Sequence, residues 1–298
     1  MIFSTKFIYE PPKKRNFFPK IYRSILKKLV RIEWFIKSNF NYYLRIKLIK
    51  RKIKLHSICI IFPSKERPHN LKRLLESLIK NTNDISRIKV LILLDEDESQ
   101  YLKYKDIETY YNSINLFVKI FKKNLNSNCE RWNYLAYKYQ EEDLYMWLND
   151  DAVFIGKNWD IYIDFVASKI PLNVPYSIWT RSNIHHEKFY YLHSDMPIVN
   201  NLWFKTLGYI GNKYLHDMGD AWICELGRLS GNFIITKKFL LNHLSISISK
   251  NEKEFDNTYL LNVKKRKNDY NLWKITIKNR IEDAKKLNFK YKKPLFAA

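Results

Sequence analysis

The stretch 145–154, Tyr-Met-Trp-Leu-Asn-Asp-Asp-Ala-Val-Phe, constrains the fold more than any other part of the sequence. Its apolar start is typical of a buried strand. The strand ends abruptly at Asn149, and two adjacent acids, Asp150 and Asp151, follow. A buried strand that ends in acids places carboxylates at the carboxyl edge of a sheet, where open α/β folds have their ligand crevice.

Asp150 and Asp151 allow two interpretations. Hard oxygen ligands at such an edge suit Mg²⁺ or Mn²⁺ carrying a substrate diphosphate. The alternative is an acidic turn, since Asn and Asp are common after strands without any ligand. Evidence from the other segments of the chain is needed to distinguish a metal site from a turn.

The chain before this stretch predicts further strands of the same sheet. Residues 57–62 and 88–94 are continuous apolar runs, as expected of buried parallel strands. Between them, leucines at helical spacing over 71–79 predict an amphipathic helix, so this order predicts a right-handed βαβ unit. Another apolar run at 116–121 brings the predicted strands to four, and the predicted fold class is an α/β sheet flanked by helices.

The positive charge of the chain lies at its two ends. The net charge is +23, yet residues 56–249 hold 23 Lys and Arg against 22 Asp and Glu. Residues 1–55 hold 16 basic residues against two acids, and residues 250–298 hold 14 against six. The centre is therefore a nearly neutral globular unit, which argues against a core that binds nucleic acid.

We divide the chain into a basic amphipathic N-terminal arm (1–55), a central domain that carries the acidic strand ends (56–260) and a basic C-terminal helical extension (261–298). The arm has apolar and basic residues at helical spacing over 21–53. A basic helix with Trp and Phe on its apolar face can lie on an anionic membrane. Two alternatives stay open for the arm: a helix that packs on the core, or nucleic-acid binding.

Two other segments are rich in large apolar residues. Aromatic residues are frequent over 176–215 and suit either the stacking of sugar rings or a satellite core under a loop. In the extension, Trp273, Ile277 and Ile281 follow a four-residue spacing, which predicts a helix over 271–287 docked through these side chains.

The composition favours a folded cytoplasmic protein. The chain is 46% hydrophobic, so it can bury a sizeable core, and its three widely spaced cysteines are predicted to be reduced packing residues. Charged residues interrupt the first apolar runs too early for a signal peptide. No apolar run approaches the roughly 18 residues of a membrane span. We expect a cytoplasmic location, with peripheral membrane contact through the arm.

Four motifs follow one another in the central part. The loop 63–68, Pro-Ser-Lys-Glu-Arg-Pro, comes after the first strand, and an acidic segment, 93–99, ends the second. Leu-Asn-Asp-Asp at 148–151 is followed by an aromatic segment at 154–160 that contains Trp-Asp. In this order and spacing, the motifs resemble those of family 2-like glycosyltransferases of the GT-A fold, in which the third motif is of the DxD type.

Two later segments extend the resemblance, which covers about residues 57–260. A predicted helix from Asp220 to near Gly231 is similar to the segment that carries the family's general base. His243, followed by Asp-Asn-Thr-Tyr at 256–259, resembles the tail of one branch of the family. The resemblance implies a Rossmann-like mixed sheet of the nucleotide-diphospho-sugar transferase type.

The resemblance also implies roles for individual residues. Asp151 and His243 are the implied metal ligands, and Asp220 is the first candidate for the base that deprotonates the acceptor. Asp217 and Glu225 are the next candidates. Ordinary alternatives are a core histidine at 243 and a helix cap at 217 or 220. The implied nucleotide-sugar contacts come from Pro63, Ser64, Arg67, Asp95, Arg131, Asn149 and Asp150.

The predicted function is the transfer of a sugar from a UDP- or GDP-type donor to a glycan or lipid-linked acceptor, with Mn²⁺ or Mg²⁺ and with inversion. A second hypothesis is a basic membrane- or nucleic-acid-binding protein with an inactive α/β core. Its motivation is the arm and Asn149, which replaces the first acid of the motif. A nucleotidyltransferase would need a glycine-rich loop after the first strand, and residues 64–68 contain no glycine.

Overall fold

The computed structural model of the protein describes residues 53–121, 127–183, 194–212, 214–216, 218–244 and 268–287. In chain order its strands are β1 (Ile58–Pro63), β2 (Ile88–Asp95), β3 (Asn115–Phe121), β4 (Leu144–Trp147), β5 (Ala152–Phe154), β6 (Ser177–Ser182), β7 (Ile198–Asn200) and β8 (Phe233–His243). They form one sheet of eight strands in the order β3-β2-β1-β4-β7-β6-β8-β5.

Helices cover both faces of this sheet. They are α1 (Pro68–Asn81), α2 (Tyr101–Tyr110), α3 (Asn128–Lys138), α4 (Trp159–Ala167), α5 (Asn201–Leu207), α6 (Gly219–Ser230) and α7 (Ile277–Leu287), with a short 3₁₀ helix at Ile85–Arg87. Residues 268–275 are also helical.

The helices begin and end where their sequences supply the right residues. Pro68 lies in the first turn of α1, where a backbone N–H has no acceptor within the helix, so proline is tolerated. The hydroxyl of Ser127 accepts a hydrogen bond from the backbone N–H of Glu130 and caps α3. Gly231 ends α6 in the left-handed region at φ 76°, which glycine adopts without steric cost.

Parallel pairing brings the predicted site segments to one edge of the sheet. β1 pairs in parallel with β2 on one side and with β4 on the other. The carboxyl ends of the three strands therefore point the same way, and the segments that follow Pro63, Asp95 and Trp147 meet there. This arrangement confirms the predicted βαβ unit and the predicted strand before the two acids.

The sheet separates two hydrophobic cores. Ile58, Ile60 and Phe62 of β1 face the core that α1 and α4 share. Cys59 and Ile61 face the opposite core, which includes buried residues of α3 and α6. All three cysteines of the chain are buried, as their prediction as packing residues requires.

A buried polar network closes the start of β1. Oδ1 of Asp164 accepts from the backbone N of His56 at 3.0 Å and lies 2.9 Å from Nδ1 of the same residue. Arg87 lies 3.0 Å from Asp164 and 2.8 Å from Asp160. Asp160, which belongs to the predicted Trp-Asp segment, also accepts the backbone N–H groups of Asn83 and Asp84. In this structure that segment holds α4 against the loop after α1.

The two basic ends are described only in part. The predicted arm, 1–55, lies outside the described residues except for 53–55, and the domain boundaries stay predictions. The C-terminal helices dock through Trp273, Ala284 and Leu287, whereas Ile281 is 42% exposed, so its predicted docking role was wrong. Helix α7 turns the face that carries Arg280 towards the core, because the buried Arg280 lies over the ring of Trp273 at 4.0 Å.

Of the aromatic residues predicted either to stack on sugars or to form a core, four are buried in the described structure: Tyr176, Trp179, Trp203 and Phe204. The core interpretation holds for these four. The aromatic residues at 189–191 lie outside the described residues. No helix in the described ranges is both long enough and apolar enough to cross a bilayer.

Candidate active site

The loop after β1 is held against the first acid of the 150–151 pair. The hydroxyl of Ser64 donates to Oδ2 of Asp150 at 2.8 Å and lies 2.8 Å from the hydroxyl of Tyr104. The Tyr104 hydroxyl accepts the backbone N–H of Arg67 at 2.9 Å. One buried tyrosine of α2 therefore fixes both ends of the loop that the sequence predicted to contact the nucleotide.

A second anchor of this loop is Glu98, a buried acid in the turn after β2. It accepts the backbone N–H of Glu66 at 2.9 Å and that of Gln100 at 2.9 Å. Glu66 lies in the left-handed region at φ 57°, which is uncommon for a residue other than glycine. The two backbone contacts made by Glu98 and Tyr104 stabilise this conformation of the loop.

Asp150 is a buried carboxylate with a single cationic neighbour among the contacts of the loop. Nη1 of Arg67 lies 3.4 Å from its Oδ1. Burial raises the pKa of Asp150 to about 6, while Arg67 opposes the rise and the adjacent Asp151 adds to it. A bound ligand can therefore change the protonation state of Asp150 near neutral pH.

Asp151 lies beside His243 because of the way the chain turns after β4. The carbonyl of Asn149 accepts from the backbone N of Ala152 at 3.2 Å, and β5 begins at once. β5 pairs antiparallel with β8, so that Ala152 is opposite His243. Nε2 of His243 consequently lies 3.0 Å from Oδ1 of Asp151.

His243 lies between two carboxylates. Its Nδ1 is 2.8 Å from Oδ2 of Asp195, on the other side of the ring from Asp151. Burial lowers the pKa of His243, but Asp151 and Asp195 together outweigh this and raise it to about 10. In the metal-free protein the ring is therefore an imidazolium at neutral pH.

The end of β2 carries a separate ion-pair cluster. Nε and Nη2 of Arg131 donate to Oδ1 of Asp95 at 3.1 and 2.7 Å. Lys65, from the loop after β1, lies 3.6 Å from Asp95 and 3.0 Å from the exposed Asp97. Asp95 and Arg131 were both predicted to contact the nucleotide, and the structure brings them together at the same sheet edge.

The first turn of α6 packs against the side chain of Trp147, the last residue of β4. A Cβ atom at Gly219 would overlap the Trp147 ring and lie 2.6 Å from Sγ of Cys129. Trp147 is in turn stacked on Trp132 with ring centroids 3.9 Å apart. Asp220 follows Gly219 directly, so α6 presents this carboxylate from the turn that contacts the end of β4.

The three candidates for the base differ in their surroundings. Oδ1 of Asp220 accepts the backbone N–H of Ala221 at 2.6 Å, and the side chain is partly exposed. Glu225 is buried, with Oε2 3.1 Å from Nε of Arg280 in the C-terminal helix α7. Such a carboxylate is inaccessible to a substrate hydroxyl. Asp217 lies outside the described residues.

Asp151 and His243 suit a divalent metal as a pair. Oδ1 of Asp151 is buried and accepts no well-aligned hydrogen bond in the described part of the chain. A carboxylate oxygen and an imidazole nitrogen 3.0 Å apart can both contact one ion at bond lengths of about 2.0–2.2 Å. Within the described ranges no three His, Cys, Asp or Glu side chains converge on one ion position. Few protein ligands are nevertheless enough for Mg²⁺, which is often held by one or two carboxylates together with waters and substrate phosphates.

The structure joins five of the twelve predicted site residues into two neighbouring groups, apart from the Asp151–His243 pair. The first links Ser64, Arg67 and Asp150, and the second links Asp95 and Arg131. The side chains of Pro63 and Asn149 lie at the same edge through their positions at the ends of β1 and β4.

Sequence reasoning missed the residues that hold the site in place. Tyr104 lies outside every motif, and Glu98 lies within the acidic segment 93–99 but was given no role there. Asp195, in the segment before β7, contacts His243, and Ser182, at the end of β6 beside β8, contacts Asp195. No local signal in the sequence reports that neighbourhood.

No protein family model matches the sequence, and no curated protein sequence matches it. Solved structures match its fold. TarS 1–349 from S. aureus aligns with 62% of this chain and 60% of its own, at 17% identity and a TM-score of 0.50. The TarS 1–349 complex with UDP-GlcNAc aligns over 62% of this chain and 58% of its own, at 16% identity and a TM-score of 0.51.

A third match covers more of the chain. The mannosyltransferase PcManGT from Pyrobaculum calidifontis, in complex with GDP-Man and Mn²⁺, aligns with 88% of this chain and 83% of its own. The identity is 9% and the TM-score is 0.52. These likenesses show that the chain has the GT-A fold, which confirms the fold class predicted from the sequence.

Proposed function

We propose that the chain is a glycosyltransferase that uses a nucleotide-sugar donor and a divalent metal. One observation carries the proposal: two adjacent acids follow β4, and each connects to a different part of the sheet edge. Asp150 connects to the loop after β1 through Ser64 and Arg67. Asp151 connects to the end of β8 through His243.

The structural neighbours support the choice of donor. TarS has been solved with UDP and with UDP-GlcNAc, and PcManGT with GDP-Man and Mn²⁺. A donor of either type has a base, a ribose and a diphosphate to be recognised. We therefore assign a UDP- or GDP-sugar as the donor of this chain.

The donor-binding residues divide by chemistry. The Asp95–Arg131 pair at the end of β2 offers an acceptor for a base or ribose and a guanidinium for phosphate. Arg67 brings a second guanidinium beside Asp150, where it would face the diphosphate. Ser64, buried between Tyr104 and Asp150, orients the Asp150 carboxylate for hydrogen bonds from the sugar or the ribose. Pro63 and Asn149 shape the floor of the same crevice.

Asp151 and His243 are the residues that would hold Mn²⁺ or Mg²⁺. When bound, such an ion stabilises the negative charge that develops on the leaving diphosphate. The chain itself supplies the ligands in a fixed arrangement, because the pairing of β5 with β8 sets the distance between them. It also shields Oδ1 of Asp151 from solvent, and ionic interactions are stronger there than in water.

The remaining step is the attack of the acceptor. A hydroxyl oxygen of the acceptor attacks the anomeric carbon, the bond from that carbon to the diphosphate oxygen breaks, and the hydroxyl proton passes to a base. Asp220 is the base we assign, since Glu225 is buried against Arg280. We propose inversion at the anomeric carbon, because a single displacement with one base accounts for the reaction.

The acceptor we propose is a glycan or a lipid-linked glycan. The support comes from charge: residues 1–55 hold 16 Lys and Arg against two acids, and such an arm attracts an anionic membrane surface. A catalytic domain held at that surface would meet lipid-linked acceptors. The proposed location is thus cytoplasmic with peripheral contact to the membrane.

Donor hydrolysis tests the proposed function. The protein is incubated with UDP- and GDP-sugars, with and without Mn²⁺, and the released nucleotide is measured by chromatography. We expect one donor to be consumed only with metal, and Asp151→Ala to lose at least about a hundredfold in rate. Asp106→Asn, an exposed acid of α2, is the control and should retain full activity.

A different result would favour the other hypothesis. If folded protein consumes no donor under any condition but binds anionic vesicles or nucleic acid through residues 1–55, the chain is a binding protein with an inactive core.

A further inference from the structure

His243 belongs to a chain of contacts that extends away from the metal position. Its Nδ1 is 2.8 Å from Oδ2 of Asp195. The same Oδ2 accepts the hydroxyl of Ser182 at 2.8 Å. Asp195 is 5% exposed and Ser182 is fully buried, so water has little access to this side of the ring.

The backbone of His243 is fixed as tightly as its ring. Oδ1 of Asn183 accepts the backbone N–H of His243 at 2.6 Å, and Nδ2 of Asn183 donates to the carbonyl of His243 at 3.0 Å. Ser182 and Asn183 are consecutive residues at the end of β6, the strand beside β8. The end of β6 therefore controls the backbone of His243 directly and its ring through Asp195.

From these contacts we infer that Asp195 is a positioning residue, which fixes the ring of His243 so that Nε2 faces Asp151 and the metal. The inference rests on the proposed function, because it gives His243 a metal to bind. Neither Asp195 nor Ser182 was a predicted site residue.

The chemistry of imidazole supports this assignment. A neutral histidine that donates its Nδ1–H to a carboxylate carries its lone pair on Nε2, which is the form that binds a metal. Metal-binding histidines commonly donate their second ring N–H to a carboxylate in this way, and loss of that partner lowers metal affinity by about 10–100-fold. The hydroxyl of Ser182 supplies the Asp195 carboxylate with a further hydrogen bond and fixes its rotamer.

A buried His–Asp pair elsewhere in the same chain provides a control. Nδ1 of His56 is 2.9 Å from Oδ1 of Asp164, and both side chains are buried. This pair lies at the start of β1, at the opposite end of that strand from the candidate site. Loss of Asp164 should therefore cost stability without changing metal affinity.

The experiment measures Mn²⁺ binding to the full chain by electron paramagnetic resonance, with UDP and with GDP, in wild type, Asp195→Ala, Asp195→Asn and Asp164→Asn. We expect the dissociation constant for Mn²⁺ to rise about 10–100-fold in Asp195→Ala. Asp195→Asn keeps a neutral acceptor for Nδ1–H, so its loss should be smaller. Asp164→Asn should stay within about twofold of wild type while melting at a lower temperature.

A spectroscopic readout separates positioning from general loss of structure. Nitrogen-15 NMR of the labelled imidazole shows which ring nitrogen carries hydrogen. In wild type with Mg²⁺ and nucleotide, Nδ1 of His243 should carry it, and Asp195→Ala should give a mixture of both tautomers. If Asp195→Ala does not fold, Ser182→Ala removes the hydrogen bond to Asp195 and should show a weaker form of the same change.

The outcomes are distinct. Unchanged Mn²⁺ affinity and tautomer in a folded Asp195 variant would overturn the positioning role and leave the proposed function in place. Equal losses in the Asp195 and Asp164 variants would also overturn it, since stability would then explain both. If wild type binds no Mn²⁺ with either nucleotide, the metal-dependent function fails, and the role of Asp195 fails with it.

Discussion

Oδ1 of Asp151 lies 3.0 Å from Nε2 of His243, although the first follows β4 and the second ends β8. The contact depends on β5, a strand of three residues that begins directly after Asp151 and pairs with the end of β8. A short strand thus brings two predicted metal ligands together.

This contact predicts how the stability of the metal-free protein depends on pH. The folded pKa of His243, about 10, lies above its ordinary value near 6.5. Protonated His243 therefore stabilises the folded state, and this contribution is complete below about pH 6.5. It is lost as the pH rises towards 10, by an amount on the order of 3–5 kcal/mol. Chemical denaturation in EDTA between pH 6 and 10 measures the loss.

Asp151→Asn removes one of the two carboxylates that raise this pKa. The variant should lose less stability than wild type between pH 6 and 10, and NMR titration should give a lower pKa for His243. Identical pH profiles for the two proteins would show that the two side chains do not interact in solution.

Substitution of two acids of α6 should affect different properties, activity for Asp220 and stability for Glu225. Asp220→Asn keeps the acceptor for the N–H of Ala221 but cannot take a proton, so kcat should fall about 10²–10⁴-fold with little change in donor affinity. Glu225→Gln leaves the buried Arg280 without its charge partner and should cost about 3–5 kcal/mol of stability.

Activity per folded molecule and the melting temperature together separate the two variants. Glu225→Gln should keep its kcat at a temperature where it is folded. A large loss of kcat in folded Glu225→Gln, with an active Asp220→Asn, would exchange their roles.

Gly219 should tolerate no side chain. A Cβ there would overlap Trp147, so Gly219→Ala should cost about 1–3 kcal/mol and displace Asp220, which lowers kcat as well. Gly208, at φ 79°, has open space where a Cβ would lie, so Gly208→Ala should cost roughly 1–2 kcal/mol through its backbone alone. Urea denaturation and kcat are the two measurements, and equal loss of kcat in both variants would contradict the packing argument.

Tyr104 should matter for donor binding although it sits on a helix behind the loop. Tyr104→Phe removes the hydroxyl that accepts from Arg67 and contacts Ser64, so nucleotide affinity should fall by about tenfold. Calorimetric titration with UDP and GDP measures it. Tyr110→Phe, 76% exposed on the same helix, is the control and should bind as wild type does.

The strands that begin the sheet were predictable because each is a continuous buried run. β1, β2 and β4 contain mainly apolar residues and lead into polar segments, so both their position and their shared edge follow from pattern and parallel order. The position of Asp150 and Asp151 at this edge was predictable for the same reason, because they directly follow a predicted strand. Gly231 likewise marks the end of α6 in the sequence and in the structure.

The parts of the fold and of the site that could not be predicted depend on contacts between segments that are distant in the sequence. β5 and β7 have three residues each, too few for a periodic pattern. The cap of α3, Ser127, lies within a run of polar residues, where nothing in the sequence distinguishes it as a helix start. Glu225 belongs to an amphipathic helix, and only its packing on α7 shows that it pairs with Arg280.

Metal-dependent nucleotide binding is tested most directly by the melting temperature of the protein with UDP, GDP, CMP and dTDP, with and without Mn²⁺. A ligand that binds only the folded state adds about 2.7 kcal/mol of stability at a hundred times its dissociation constant. We predict a rise of several degrees with UDP or GDP that requires Mn²⁺ and is absent in Asp151→Ala. A folded protein that shows no rise with any nucleotide, or the same rise in Asp151→Ala, would contradict the proposed function.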